Sequence, residues 1–484
     1  MFSSLFHKKF YTAATLFIAA GIAALLLKET WIIILPFVLL LVKPVVQLII
    51  QQPRHLYFAL FATLPLSTEY NLTPSLGFDF PDELLMGVIT LLFLLKVIYK
   101  PGIYPKDTLQ QPLLFLLFLH LAWIGASCLY AQDMLLAIKF LLAKTWFIVP
   151  FVLMPVLFFQ SKKSIKFLAF LLLLPMAFVV VQCLLRHAFY GFSFEGIKAT
   201  LSPFFRNHVT YSAMLVCLLA VLWAMHKLTP AANKYKWTLT IGLWIGAIAL
   251  VLAWSRGAWL ALLAGCIAWY CIKKNVLGWL ILFAVGTTIA ATAWLATDKH
   301  YLRFAPDFNT TIYHEELGEH LQATVTLQDV SNAERFYRWV AAANMVADKP
   351  VTGFGPNNFY NHYRRYTVAP FKTWVSNNPE RSSVHNYFLL TLLEQGVPGL
   401  VFFCALYFAM VMQSQRLYRQ LSDPFYKTVA HTIGIVLIMI GVLIFISDLV
   451  ETDKIGSLFW LCLGMLLVLS RQKSLPAATP NTGV

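Results

Sequence analysis

The sequence predicts an all-α polytopic integral membrane protein of about 12–14 transmembrane helices, with one large outer (periplasmic) loop that contains short helices. Three observations carry this. Of 484 residues, 59% are hydrophobic and only 12% charged, where a water-soluble chain carries about a quarter. Apolar runs of roughly 20 residues recur from residue 11 to residue 470. Lysine and arginine gather in alternate connecting segments, as the positive-inside rule requires.

Apolar windows fall near 11–27, 31–50, 54–66, 84–99, 112–130, 136–159, 165–185, 209–226, 238–254, 257–272, 276–296, 386–411, 427–447 and 455–470. The third is short, and the break at 254–257 is tight. With the N-terminus inside, the cytoplasmic connections carry Lys8 and Lys9, Lys162, Lys163 and Lys166, Lys273 and Lys274, and Arg416, Arg419 and Lys427, among others. The opposite short loops hold Glu69, Asp79, Asp82, Glu83, Asp133, Glu195, Asp448, Glu451 and Asp453. One missed crossing would invert everything downstream, so the alternation supports the count. The net charge of +15 is therefore topological, and nucleic acid is not expected as a partner.

This parity divides the chain into transmembrane helices with short loops (1–296), a large outer loop (297–384), C-terminal transmembrane helices (385–470) and a polar cytoplasmic tail (471–484). Both termini are expected in the cytoplasm. Within the large loop, 331–348 reads as a helix with Ser331 or Asn332 as N-cap, and Phe336, Trp339, Val340, Ala343 and Val346 form its apolar stripe. All seven cysteines fall in or beside apolar runs, which points to core residues and against a disulfide framework.

Against this background the exceptions carry information. Arg256, in Trp254-Ser-Arg-Gly-Ala-Trp259, lies on the outer side with no acid within forty residues along the chain. A guanidinium there either snorkels to headgroups or binds an anion such as a ligand phosphate. Arg206 repeats the situation in Phe204-Phe-Arg-Asn-His208, so two arginines offer a bidentate clamp for a diphosphate. His385 opens a span directly after the large loop, where a histidine serves either as a base or as a helix-capping group beside Asn386. His208 is a second histidine of this kind, and Glu394 is an intramembrane carboxyl that is functional or paired. No metal is expected: the histidines of the His314–His320 cluster do not share one helical face, and Asp448, Glu451 and Asp453 are explained by the charge rule.

Ser255-Arg-Gly-Ala-Trp-Leu260, Thr352-Gly-Phe-Gly-Pro-Asn-Asn-Phe359 and His385-Asn386 leading into Leu393-Glu-Gln-Gly396 together resemble the O-antigen ligase and polymerase superfamily of bacterial membrane glycosyltransferases. The similarity covers roughly 200–410 and is topological before that. The resemblance implies a metal-independent, inverting transfer with no cofactor, at the periplasmic face of the bacterial inner membrane. An undecaprenyl-diphosphate-linked glycan would be the donor, and lipid A-core or another hydroxyl the acceptor, among membrane lipids. On that pattern Arg256 and Arg206 bind the donor diphosphate, His385 takes the acceptor proton, and Asn386, His208 and Glu394 support. The Arg-x15-Gly pattern described for polymerases is missing, which favours an O-antigen ligase. A polysaccharide polymerase and a protein O-oligosaccharyltransferase are the alternatives within the superfamily. A polysaccharide or lipid flippase is the alternative of another class, disfavoured because these residues gather at one face instead of at mid-membrane.

Overall fold

The computed structural model describes residues 52–73, 76–305, 330–373, 376–378 and 382–474. The expected spans 11–27 and 31–50, the His314–His320 cluster and the tail from residue 475 lie outside the described residues. The chain divides into two compact units, Met1–Ala59 and Leu60–Val484, and the second holds every site residue discussed below.

Helix α1 (Pro53–Thr63) is 11 residues long, continued by a 3-10 turn over Leu64–Leu66. At 1.5 Å per residue α1 covers about 16 Å, roughly half a hydrocarbon core, so the window 54–66 does not cross a membrane as an α-helix. An antiparallel hairpin follows, β1 (Thr68–Thr73) and β2 (Leu76–Phe80), pairing Glu69 with Asp79. Composition alone did not foresee this hairpin in an otherwise helical chain.

From there the helices run as the hydropathy windows predict: α2 (Asp82–Tyr99), α3 (Pro112–Leu129), α4 (Met134–Phe158), α5 (Lys162–Ala188), α6 (His208–Leu228), α7 (Tyr235–Leu252), α8 (Arg256–Lys274) and α9 (Leu277–Ala296). The loop helix α10 (Val330–Asp348) precedes α11 (Tyr387–Gln420), α12 (Pro424–Phe445) and α13 (Asp453–Ser474). Among the described residues nine helices are long and apolar enough to cross a membrane. Their apolar faces satisfy the bilayer while each backbone satisfies itself, which is why hydropathy finds them. Large residues such as Trp279, Phe283 and Ile289 on α9 stay exposed, and α12 and α13 form the buried centre.

Small residues decide how closely this centre packs. On α8, Gly257, Ala261 and Gly265 repeat at four-residue steps and let α12 approach. A Cβ on Gly257 would lie 2.5 Å from the Ile446 Cδ1, just past the end of α12. The glycine after Arg256 thus brings that arginine's helix end against the α12–α13 turn.

Two local expectations change. Helix α10 already includes Val330, so Ser331 and Asn332 lie in its first turn and neither is the N-cap. Its inward face is Ala333, Tyr337, Ala341 and Met345, while Ala343 is exposed and Val346 only half-buried. The stripe is displaced because a buried ion pair, Glu334 with Arg338 at 3.1 Å, occupies the inner face. Phe336 meets Phe304 and Phe371 at ring distances of 5.7 and 6.3 Å instead.

Candidate functional site at one end of the helical bundle

Antiparallel succession brings the starts of α2, α6, α8, α11 and α13 to the same end as the finish of α12. At that end the turn Ile446–Asp453 is the common neighbour. Gly257, next to Arg256, packs on Ile446. The Tyr387 N–H donates to the Ser447 carbonyl at 3.1 Å, and His385 Nδ1 stands 4.0 Å from the Asp448 carboxylate. The residues Gly257, Tyr387 and His385, next to Arg256 or beyond the large loop in sequence, therefore meet three consecutive residues of one turn.

His385 is held from two sides. Helix α10 grips the approach to it: Arg338 Nη1 donates to the Ser383 carbonyl at 3.3 Å and Trp339 Nε1 to the Val384 carbonyl at 3.0 Å. The α12–α13 turn grips the residues after it. Between these grips His385 adopts φ +56°, a left-handed conformation that costs a non-glycine residue about 1 kcal/mol or more. The capping role belongs to Asn386, whose side chain accepts from the Leu389 N–H at 3.0 Å. His385 is therefore not the helix cap, and its side chain keeps a third of its surface exposed.

Burial lowers the His385 pKa below the ordinary imidazole value, and the guanidinium groups of Arg338 and Arg335 lower it further. Asp448 shifts the other way: burial raises its carboxyl, opposed by a hydrogen bond with Ser383 and by Arg338. The ring is thus kept neutral, as a proton acceptor must be, with Nδ1 towards a carboxyl group and Nε2 left for another partner. Arg335, Arg338 and Asp448 were not picked out by sequence reasoning. The arginines lie outside the apolar stripe that the sequence marks on this helix, and Asp448 reads as one acid of an outer loop.

Arg256 begins α8 after a tight turn in which Trp254 takes φ +53°. The Trp254 indole N–H donates to the Phe192 carbonyl at 3.1 Å, and its ring packs on Phe194, which in turn meets His208 edge-on at 5.5 Å. His208 thus belongs with the Arg256 turn. Arg206 is exposed and faces Glu69 of β1 at 3.7 Å, so a diphosphate would compete with a weak surface ion pair for it.

Glu394 is fully inside. Its carboxyl accepts from the backbone N–H groups of Asn357 at 2.8 Å and Phe359 at 3.1 Å. Helix α11 is broken beside it at Gly396, φ +69°, where a Cβ would fall 1.9 Å from the Val351 carbonyl oxygen. The two motifs Thr352–Phe359 and Leu393–Gly396 are therefore one clasp. Phe354 and Gly355 N–H groups donate to the Leu393 and Glu394 carbonyls at 3.0 and 2.8 Å, and Asn358 Oδ1 receives the Asp133 N–H at 2.7 Å. Glu394 is thus paired, and its partners are backbone. The window 386–411 is in fact a short helical stretch to Gln395, a break, and a long span to Gln420.

The acidic turn also divides by role. Glu451 pairs with the buried Lys144 of α4 at 2.7 Å, and Asp453 lies with Asp79 and Asp82, so Asp448, Glu451 and Asp453 do not form one ligand set.

These features define a multi-pass helical membrane protein with arginines and a neutral histidine around one turn at one end of the bundle. Residues 241–404 match the family model described as O-antigen ligase, a stretch that takes in Arg256, the clasp and His385. Over those residues the chain is similar to enzymes acting on glycans, of the ligase and polymerase kind. No curated protein matches the chain.

Proposed function

We propose that the protein transfers a glycan from an undecaprenyl-diphosphate carrier to a hydroxyl of lipid A-core, at the periplasmic face of the bacterial inner membrane, as an O-antigen ligase. The observation that supports this reading is that the helix start carrying Arg256, through Gly257, and His385, whose pKa burial lowers, both meet the Ile446–Asp448 turn. In the reaction the acceptor oxygen attacks C1 of the donor sugar and the C1–O bond to the diphosphate breaks. The hydroxyl proton passes to His385 Nε2. The leaving diphosphate gathers negative charge, which the forked guanidinium of Arg256, helped by Arg206, stabilises without a metal ion. Base and leaving group stand on opposite faces of the sugar, so the anomeric configuration inverts. Asn386 sets the start of α11, His208 buttresses the Arg256 turn, and Glu394 holds the clasp beneath His385.

The test is reconstitution. Purified protein is incubated with an undecaprenyl-diphosphate-linked glycan and, separately, with lipid A-core, a second lipid-linked glycan and a Ser/Thr peptide. Product on lipid A-core alone supports the ligase reading. Product on the second glycan or the peptide makes the protein a polymerase or a protein glycosyltransferase, and no transfer with translocation of the carrier makes it a flippase.

A further inference from the structure

We propose that the carboxylates of Asp79, Asp82 and Asp453 form a calcium site that ties the β-hairpin to the start of α13. It is independent of the transfer reaction proposed above. The three residues come from β2, the first residue of α2 and the first residue of α13, and one oxygen from each lies within 4.8 Å of the others. Two oxygens on opposite sides of a Ca²⁺ ion, each at about 2.4 Å, stand about 4.8 Å apart, so three oxygens this close can share one, whereas Mg²⁺ keeps most of its waters and seldom takes an all-protein set of ligands.

A second observation points to a ligand. Asp82 is 0% exposed, and although its Oδ1 accepts from the Glu83 N–H at 3.1 Å, its Oδ2 is buried with no hydrogen-bond partner. An orphaned carboxylate oxygen in such a place needs a cation or a proton.

The neighbouring cation does not meet that need directly. Lys454 is buried beside the cluster, but its ammonium donates to the Leu64 carbonyl at 3.0 Å, the Ser67 carbonyl at 3.0 Å and the Ser67 hydroxyl at 2.7 Å. An ammonium has three donors, and all three go to neutral oxygens. Glu69 and Glu83 add to the negative field of the three aspartates, while Lys454 and Arg206 oppose it, leaving an excess of acid. Without a metal ion, part of this excess of carboxylates must be neutralised by protons. A calcium ion would satisfy all three groups at once and hold Glu69, the ion-pair partner of Arg206, in place.

The experiment uses the full-length protein in detergent. Equilibrium dialysis with ⁴⁵Ca²⁺ should find about one saturable site per chain, with a Kd of roughly 10⁻⁴ to 10⁻³ M as in extracellular modules. Calcium should raise the unfolding temperature relative to EDTA, and Mg²⁺ should do so less. Asp82→Asn and Asp453→Asn should each weaken binding at least tenfold and remove the calcium increment, while Glu195→Gln, an exposed acid elsewhere at the same end, should retain both. Wild-type protein that binds no calcium at millimolar concentration overturns the proposal, and so does an Asp82→Asn protein that binds it normally. In the first case an unfolding temperature that follows pH and ignores calcium identifies protons as what neutralises the cluster. The dialysis of wild-type protein decides the matter even if a variant fails to fold.

Discussion

Replacing Glu394 tests whether the clasp is structural. In Glu394→Ala the N–H groups of Asn357 and Phe359 lose their acceptor, Phe359 in a buried place and Asn357 in a residue that water reaches. The buried Phe359 donor costs about 1–3 kcal/mol when orphaned, and the Asn357 N–H, which can turn to water, adds less, so the loss is about 1–3 kcal/mol. Glu394→Gln keeps one acceptor oxygen and turns an amide N–H₂ towards the other donor, so it should lose roughly half as much. Thermal unfolding of the purified proteins should therefore rank wild type above Gln above Ala, and hydrogen exchange should show faster exchange at Asn357 and Phe359. The neighbouring bonds from Phe354 and Gly355 go to backbone carbonyls and survive, which confines the loosening to the turn's far half. Transfer should fall less than in His385→Ala, because Glu394 acts only through the short stretch of α11 that leads to His385. An alanine variant with wild-type unfolding and unchanged exchange would refute the clasp. A fully stable glutamine variant without activity would move Glu394 into the chemistry.

His385→Ala should keep protein level and donor binding while transfer drops by roughly 10²–10⁴, the usual loss for a general base; a retained rate with the same acidic limb returns it to structure. The neutral ring is the active form and its pKa is lowered by burial, Arg338 and Arg335, so activity should persist below the ordinary imidazole range. Arg335→Gln removes one of those cations, raises the pKa and should move the acidic limb of the rate profile towards neutrality; an unmoved limb separates Arg335 from His385. Arg256→Lys keeps charge but loses the fork, and should cost about tenfold or more in kcat/KM; near-normal turnover in Arg256→Ala would sink the phosphate role. Arg206→Ala should also slow transfer, and unchanged donor affinity and rate would leave it only its ion pair with Glu69. EDTA, applied well below the unfolding temperature, should leave the transfer rate intact, and restoration of lost activity by Mg²⁺ or Mn²⁺ would overturn the metal-independent reaction.

The positions and order of the membrane helices from Asp82 onward were legible in the sequence to within a few residues, apart from α11, which is broken at Gly396 and runs on to Gln420. Arg256 and His385 stand out in the sequence because a cation or a histidine at the mouth of an apolar span contrasts with lipid-facing neighbours. The asparagine caps at Asn207 and Asn386 were equally open to local reasoning, since each acts within three residues of itself. The hairpin Thr68–Phe80 was not, because its strands are short and lie between two apolar windows, where hydropathy reports only an interruption.

What the sequence alone determined is which segments leave water, because the thickness of a bilayer and the need to satisfy every backbone group within one helix act along the chain. What the tertiary structure decided is which buried polar group answers which. Glu451 finds Lys144, Asp453 joins Asp79 and Asp82, and Glu394 caps the backbone of a turn nearly forty residues earlier. The inner face of α10 likewise follows its Glu334–Arg338 pair instead of its most apolar stripe. Hydropathy assigns each residue a medium, but a buried charge or amide is stable only with a specific partner at hydrogen-bonding distance. Packing between helices far apart in the chain supplies those partners, and no local pattern encodes them.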